Sequence, residues 1–356
     1  MTLKVIQWGV GNVGAEALSA VIADPGLELV GAWRHSGAGK GEDIGEQVGL
    51  PRAGITATRS LQEILALQAD CVLYMPRLSD LDEVCAILAS GKNVIATPFA
   101  FYAKSLPKAE LDKVNRACEE GKSTLYGTGI NPGFAGMIQP AVLAGMSQRI
   151  RKVSVSERAN WSYYNNAEIT FTQMRFGHSR EEALLSNNPF AQFNSQIFCE
   201  QIYMLADAFD VTLTDLVTEQ DLILADEDFD IICGHINKGT VCGQRYHWQG
   251  VVDSEVVIEI DALWSVGDKY PDHWPQQLDG WTVQVEGSPS MQTHFLCCAS
   301  LDPNSTASLE DHVHSTEMAT AMQAVNSLKH VCAAKPGIVS VHEMPLAIPY
   351  KPFDTN

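Results

Sequence analysis

Two glycine-rich stretches carry the spacing that most directly implies chemistry: Gly9-Val-Gly11-Asn12-Val13-Gly14 and Gly127-Thr-Gly-Ile-Asn131-Pro-Gly-Phe134. The first follows an apolar run, Lys4-Val-Ile-Gln-Trp8, and precedes a helical pattern from Ala15 to Ile22. In a strand–turn–helix context, Gly-x-Gly-x-x-Gly is the fingerprint of a dinucleotide site. Gly9 would permit the tight turn, Gly11 a close approach of backbone to a pyrophosphate, and Gly14 close packing of helix on strand. The N–H groups that open the helix, around Asn12 and Val13, would face the phosphates. A nicotinamide dinucleotide is the expected ligand.

The end of the second strand bears on which nicotinamide cofactor. An acid there would accept from ribose hydroxyls, whereas arginine would pair with a 2′-phosphate. The chain reads Ala32-Trp33-Arg34-His35-Ser36. Arg34, His35 and Ser36 favour NADP(H), with NAD(H) possible. Met75, Pro76 and Arg77, after the third strand, are placed along the cofactor ribose. Thr97, after the fourth, and Asn131, after the fifth, are placed with the cofactor, Asn131 near the nicotinamide.

Hydride transfer also needs a group that gives or takes a proton. Tyr102 lies just past the fourth strand, where open α/β sheets bind ligands. Packing is the plain alternative for this ring. His178 has the right range for proton transfer near neutrality, against a role as a polar loop residue. Glu168 is the carboxylate nearest in sequence to a dense aromatic group, against a role as a helix-start acid. That group, Trp161, Tyr164, Phe171, Met174 and Phe176, together with Phe99, Phe101 and Phe134, is expected to line an apolar substrate pocket in part and the core in part. No metal site is expected. Cys233, His235, Cys242 and His247 would scatter over both faces of a sheet, and Asp311-His-Val-His314 with Asp302 reads as a polar loop before a helix.

These residues need a scaffold of alternating strands and helices. Short apolar runs at 4–10, 27–33, 71–75, 93–97 and 123–126, separated by helical patterns, predict a doubly wound parallel sheet. Gly91 and Gly121 mark two helix ends. A helix is expected over 135–146. Beyond it, a strand from Arg151, a helix over 190–209 and long alternating segments over 211–300 predict an α+β domain on an open, mainly antiparallel sheet. Val251–Trp264 reads as one such segment. The expected division is 1–130 for the dinucleotide domain and 131–310 for the substrate and dimerisation domain. Residues 311–356, with a helix over 315–333, form a C-terminal segment returning to the first domain.

The 356 residues are long for one core. Hydrophobic content of 46% and charged content of 19% describe an ordinary globular chain. A net charge of −19 disfavours nucleic acid and anionic membranes as partners. Nine dispersed cysteines without a Cys-x-x-Cys fit a reducing, cytoplasmic setting. A homodimer through the second sheet is expected, because some 90 residues of strand pattern need their apolar face covered.

Together with the first glycine loop, His35-Ser36, Trp161-Ser-Tyr-Tyr164 and Ala321-Met-Gln-Ala-Val-Asn326, the Gly127–Phe134 stretch resembles the dihydrodipicolinate reductase-like proteins. The nearer branch is that of 2,4-diaminopentanoate dehydrogenase and the native amine dehydrogenases. The resemblance implies a Rossmann domain with an open-sheet domain, NAD(P)H, a homodimer, and reduction of C=N or C=O. One departure stands out. The amine-forming members carry a Glu-Glu pair after the fourth strand. Here the segment is Thr97-Pro-Phe-Ala-Phe-Tyr102-Ala103, without a carboxylate. A cationic amine there would lack an anion, so a neutral carbonyl or alcohol gains weight. The expected activity is hydride transfer to or from a small carbonyl, alcohol or imine compound with an apolar body. An amine dehydrogenase, or a nucleotide-binding protein without catalysis, are the competing readings.

Overall fold

The computed structural model describes residues 2–35, 41–267 and 270–349. The chain divides into two compact units, Met1–Phe134 with Glu317–Asn356, and Ala135–Thr316.

In the first unit, strands β1 (Leu3–Trp8), β2 (Leu27–Trp33), β3 (Cys71–Tyr74), β4 (Asn93–Ala96) and β5 (Thr124–Gly127) alternate with helices. These are α1 (Asn12–Ala23), α2 (Ile44–Gln47), α3 (Leu61–Ala66), α4 (Leu81–Ala89) and α5 (Lys108–Gly121). All four residues of β3 are buried, as expected of a parallel strand covered on both faces. Ile6, Val72, Val94 and Leu125 pack with Ile64, Val84, Ile87 and Val114 on one face. Leu18 and Ala32 pack with Ile44 and Ala57 in a second cluster. Each buried Val, Leu or Ile side chain among them contributes roughly 1.5–3 kcal/mol by leaving water. Local signals agree with this packing: Asp80 caps α4 by accepting from the N–H groups of Asp82 and Glu83. Gly121 ends α5 as expected, but not through a left-handed glycine. It is helical, and the left-handed residue is Lys122 at φ +50°. A Cβ on Gly121 would overlap the Leu88 carbonyl, so close approach of α5 to α4 is what excludes a side chain there.

The second unit holds α6 (Gln139–Ala144), β6 (Arg149–Asn160), α7 (Arg180–Ala183), α8 (Pro189–Ala208) and β7 (Asp215–Leu224). It continues with β8 (Phe229–Ile231), β9 (Gly234–Ile236), β10 (Val241–Val252), β11 (Glu255–Ser265), β12 (Gly280–Ser288) and β13 (Met291–Phe295). Its main sheet has the order β13-β12-β6-β11-β10-β7, and β8 with β9 forms a separate small hairpin. Only the β6–β11 pair is parallel.

Two expectations are corrected here. The 251–264 run is broken by a two-residue hairpin turn, Asp253-Ser254, both at positive φ (+48° and +73°). The helix expected over 135–146 begins instead as wide turns over Ile130–Ile138, and only Gln139–Ala144 is α-helical.

One face of the second sheet is apolar and is covered by the chain itself. Leu143 of α6 packs on Val153, Val155, Val283 and Val285. Phe198 of α8 stacks on Trp248 of β10 with centroids 4.4 Å apart. The other face carries Lys152, Arg245, His247, Glu259 and Asp261, paired with one another. Helices α6 and α8 thus cover the apolar face that was expected to be buried by a second copy of the chain.

Helix α9 (Leu309–Ala333) and strand β14 (Gly337–Val339) complete the chain. Helix α9 starts six residues before the expected Ser315. Asp311, His312 and His314 are helical rather than loop, because Ser308 and Asp311 exchange hydrogen bonds at its start. Strand β14 pairs with β5, giving a parallel sheet of order β14-β5-β4-β3-β1-β2.

Candidate functional site

The glycine loop joins β1 to α1. Gly9 has φ +89°, and a Cβ there would overlap the Met75 carbonyl. A Cβ on Gly14 would overlap the Gly9 carbonyl, which also accepts from the buried Gln7 side chain at 2.8 Å. Gly11 is different: no atom lies within 4 Å of its Cβ position. It caps α1 without a side-chain hydrogen bond, and the first turn has no acidic residue. The N–H groups of that turn, around Val13, are thus available to an anion, and the helix dipole favours one. Asn12 donates to Glu317 at 2.6 Å.

At the end of β2, Arg34 Nη1 donates to Gln47 Oε1, and Arg34 N donates to the Thr58 carbonyl at 3.2 Å. Helix α2, which carries Gln47, is anchored by the buried Asp43. That carboxylate accepts from Gly45 at 2.9 Å, Ala53 at 2.7 Å and Gly54 at 2.6 Å. Backbone donation, led by Ala53, holds its carboxyl below the usual range. Asp43 is therefore committed to the loop. His35 is exposed, and Ser36 lies outside the described residues.

The strand ends form an aromatic row. Trp8 stacks on Trp33 with centroids 4.6 Å apart and 6° between planes. Trp8 is 5.6 Å from Tyr74, and Tyr74 is 6.0 Å from Phe99. Met75 continues from β3 and donates to the Trp8 carbonyl at 2.7 Å, followed by Pro76 and the exposed Arg77. Thr97 N donates to the Tyr74 carbonyl at 3.3 Å. Ala100 is buried with φ +65°. Its carbonyl lies where a Gly127 side chain would be, and the Phe101 nitrogen would be 2.7 Å from such a Cβ. Phe101 is 3% and Tyr102 8% exposed. The Lys104 ammonium is 5.7 Å from the Tyr102 ring centroid. Asn131 precedes a cis bond to Pro132, and Phe134 N donates to the Gly129 carbonyl at 2.9 Å. Gly9–Gly14, Arg34, Met75, Thr97, Phe99, Tyr102 and Asn131 thus all follow carboxyl ends of strands in one sheet, the usual ligand edge of such folds.

In the second unit, Trp161 meets Tyr164 and Trp264 edge-on at 5.1 and 6.3 Å. Phe171 fills the space that side chains at Gly177 and Gly234 would take. Met174 and Phe176 are core residues, 3% and 0% exposed. His178 sits 3.6 Å from Glu182, a residue that also closes a capping box with Ser179. Glu168 is exposed in the first turn of a helical segment over Glu168–Gln173. A cavity of ≈ 750 Å³ lies beside Ser162 and Tyr163, with Phe229, Ile231 and Val266 in its wall. Among the described residues, no cluster of three or more His, Cys, Asp or Glu side chains is arranged to hold a metal ion.

A further carboxylate, absent from the expected site residues, lies in the second unit. Glu157 of β6 accepts from Trp264 Nε1 at Oε1 and from Trp281 Nε1 at Oε2, both at 2.8 Å. Its signal was the alternation Val153-x-Val155-x-Glu157, which puts an acid on the apolar face of the sheet.

The family model described as the 2,4-diaminopentanoate dehydrogenase C-terminal domain matches residues 141–351. The dihydrodipicolinate reductase N-terminus matches residues 3–98. An amine dehydrogenase of Streptomyces virginiae is 24% identical over 97% of this chain and 96% of its own. A 2,4-diaminopentanoate dehydrogenase of Acetoanaerobium sticklandii is also 24% identical, over 97% of this chain and 94% of its own. Among solved structures, the amine dehydrogenase from Mycobacterium smegmatis shares the fold. It has a TM-score of 0.77 at 20% identity, covering 99% of both chains.

Proposed function

Because the chain belongs to the family marked by the 2,4-diaminopentanoate dehydrogenase C-terminal domain, and is an NAD(P)-dependent oxidoreductase, we propose that it exchanges a hydride with a small carbonyl, alcohol or imine compound of apolar body, with NADP(H) preferred. The observation that carries the cofactor half is the uncapped start of α1 beside the open Gly11 position. It fits a pyrophosphate, with Val13 and its neighbours donating and Gly9 and Gly14 holding the turn. Arg34, tied to Gln47, is the 2′-phosphate partner in this reading, with His35 beside it. Met75, Pro76, Arg77, Thr97 and Asn131 hold the ribose and nicotinamide end. The nicotinamide supplies or accepts the hydride.

Tyr102 is the proton donor to a developing alkoxide in this reading, with His178 and Glu168 as further candidates. The absence of a carboxylate from Thr97 to Ala103 supports a neutral reacting group there. Phe99 and Phe134 in the first unit, and separately Trp161, Tyr164 and Phe171 in the second, are the candidates for apolar contact with the substrate body. A cytoplasmic location agrees with nine cysteines that form no disulfide, and among the described residues no helix is long and apolar enough to cross a membrane. A homodimer rests on the family likeness. The polar sheet face is the one α6 and α8 leave uncovered.

The test is incubation of the purified protein with NADPH and a panel of small ketones, with and without ammonia. Ketone turnover without ammonia supports the carbonyl reading. Strict ammonia dependence supports the amine-dehydrogenase reading. Tight NADPH binding with no turnover would leave a nucleotide-binding protein.

A further inference from the structure

Two thiols that the proposed function does not use lie side by side in the first unit. Cys71 opens β3 and Cys332 stands in the last turn of α9. Both belong to that unit, and neither is in a disulfide. Asp70 gathers them. Its backbone N–H donates to the Lys4 carbonyl at 2.8 Å. Its own carbonyl accepts from the Asn93 backbone at 3.1 Å and from the Asn93 side chain at 2.8 Å. Strands β1 and β4 thus fix the start of β3 from both sides. The Cys332 Sγ lies 3.9 Å from the same Asp70 carbonyl, across 262 positions of sequence. The Cys71 and Cys332 thiols are hydrogen-bonded to each other.

The two sulfurs are unequal. Cys71 is fully buried, and burial pushes its thiol well above the usual range, with Cys332 adding to the rise. Cys332 is half-buried. Hydrogen bonding from Cys71 draws its thiol below the usual value, helped by the Asn93 side chain and opposed by burial and the Asp70 charge. A thiolate within reach of solvent is the reactive form of cysteine, and a neighbouring thiol resolves its first oxidation product. Cys118 of α5 differs: it is buried, and burial pushes its thiol up to about 11.

We propose that Cys332 and Cys71 are a peroxide-responsive thiol pair, which closes into a disulfide that fastens the last turn of α9 to the start of β3. Hydrogen peroxide is the oxidant. The Cys332 thiolate attacks one peroxide oxygen, the O–O bond breaks, and the departing hydroxide takes up a proton as water. Cys332 is left as a sulfenic acid. The Cys71 sulfur then attacks the Cys332 sulfur, the S–S bond forms and the S–O bond breaks. The Cys71 proton goes to the second hydroxide. The two thiols together lose two electrons and two protons, and the peroxide is reduced to two waters. The bond forms at the amino end of β3, opposite the strand ends that carry the glycine loop, and it requires no hydride chemistry.

The experiment treats the reduced, full-length, folded protein with hydrogen peroxide, blocks remaining thiols with N-ethylmaleimide, and maps the peptides by mass spectrometry without reductant. A peptide pair joined through Cys71 and Cys332 is expected, and dithiothreitol should release it. Cys332 should be consumed at least about tenfold faster than Cys118, in line with its larger thiolate fraction. In Cys71→Ser the Cys332 sulfenic acid should persist and be trapped by dimedone, and in Cys332→Ser Cys71 should stay reduced. Three results overturn the proposal: both thiols still open to alkylation after peroxide and unfolding, Cys332 carried to the sulfinic acid in the unmodified protein without a cross-link, or either cysteine joined to another such as Cys85 or Cys118. Should the serine variants fail to fold, the peptide map of the unmodified protein decides alone. Turnover with any substrate plays no part in these readouts, so the thiol pair and the proposed function stand or fall separately.

Discussion

Arg34 donates from its guanidinium to the side chain of Gln47, so the cation at the end of β2 is held by a helix that Asp43 fixes from below. A charge oriented this way differs from a solvated loop arginine. Its long side chain has already lost part of its freedom before any phosphate arrives.

Arg34→Ala should weaken NADPH binding by about 1.5–3 kcal/mol, the range for a hydrogen bond to a charged group. NADH binding should barely change. Fluorescence titration with both cofactors measures this, and equal losses for the two would remove the NADP preference.

The three loop glycines should separate stability from binding. Gly11→Ala has an open Cβ position and a φ of −86°. It should keep stability within about 1 kcal/mol of wild type while weakening cofactor at least about tenfold. Gly9→Ala meets both a positive φ and the Met75 carbonyl, and should destabilise the fold by about 1–3 kcal/mol. Denaturation midpoints beside NADPH titrations read both. Wild-type affinity in Gly11→Ala would argue against a pyrophosphate at that residue.

Gly127→Ala tests the support of the segment after β4. The Ala100 carbonyl occupies the space of the new methyl group, so a loss of about 1–3 kcal/mol is expected. Turnover should suffer with it, because Phe99 to Tyr102 would shift. Unchanged melting and unchanged turnover would show that this close approach has no consequence.

Tyr102→Phe should lower ketone turnover at least about tenfold, the lower end for loss of a proton donor. The ring packing is kept, so any loss of stability should stay within about 1–3 kcal/mol and the variant should remain folded at the assay temperature. Undiminished turnover would remove Tyr102 from the chemistry and leave it as a packing residue.

Acid stability should depend on Glu259. Its carboxyl is drawn down to about 2 by the neighbouring His247 ring, 3.7 Å away, and further by Lys152 and Ser154, which donate hydrogen bonds to it. A depressed carboxylate contributes stability that is present above the unfolded value of 4.5 and lost as pH falls toward about 2. The contribution is of order 3 kcal/mol at most. Urea unfolding at pH 5 and pH 3 should show a steep loss in wild type and a shallower one in Glu259→Gln. Parallel pH profiles would assign the acid limb to other groups.

The first sheet was legible because its strands are short apolar runs separated by amphipathic patterns, and both periods survive in one sequence. Strand β14 was not: three residues after Pro336 carry no period, and only pairing with β5 makes them a strand. The Asp253-Ser254 hairpin was hidden for a related reason. Alternation continues through it, and only the positive φ angles break the run. The cofactor loop could be read residue by residue, since each glycine answers a local steric demand. Glu157 could not be ranked from sequence, because its partners Trp264 and Trp281 are more than 100 residues away. Its place on an apolar face was visible, but its two indole donors were not.

The stacking of Trp8 on Trp33 has an optical consequence. Two parallel indoles 4.6 Å apart, at neighbouring strand ends in the unit that carries the glycine loop, couple their electronic transitions. The pair is expected to add a coupled indole contribution to the circular dichroism that Trp33→Phe would remove. Any ligand that shifts the loops after β1 and β2 changes the angle between the rings and hence the sign or size of that signal. The chain thus carries its own reporter for events at that edge of the sheet, readable without a label.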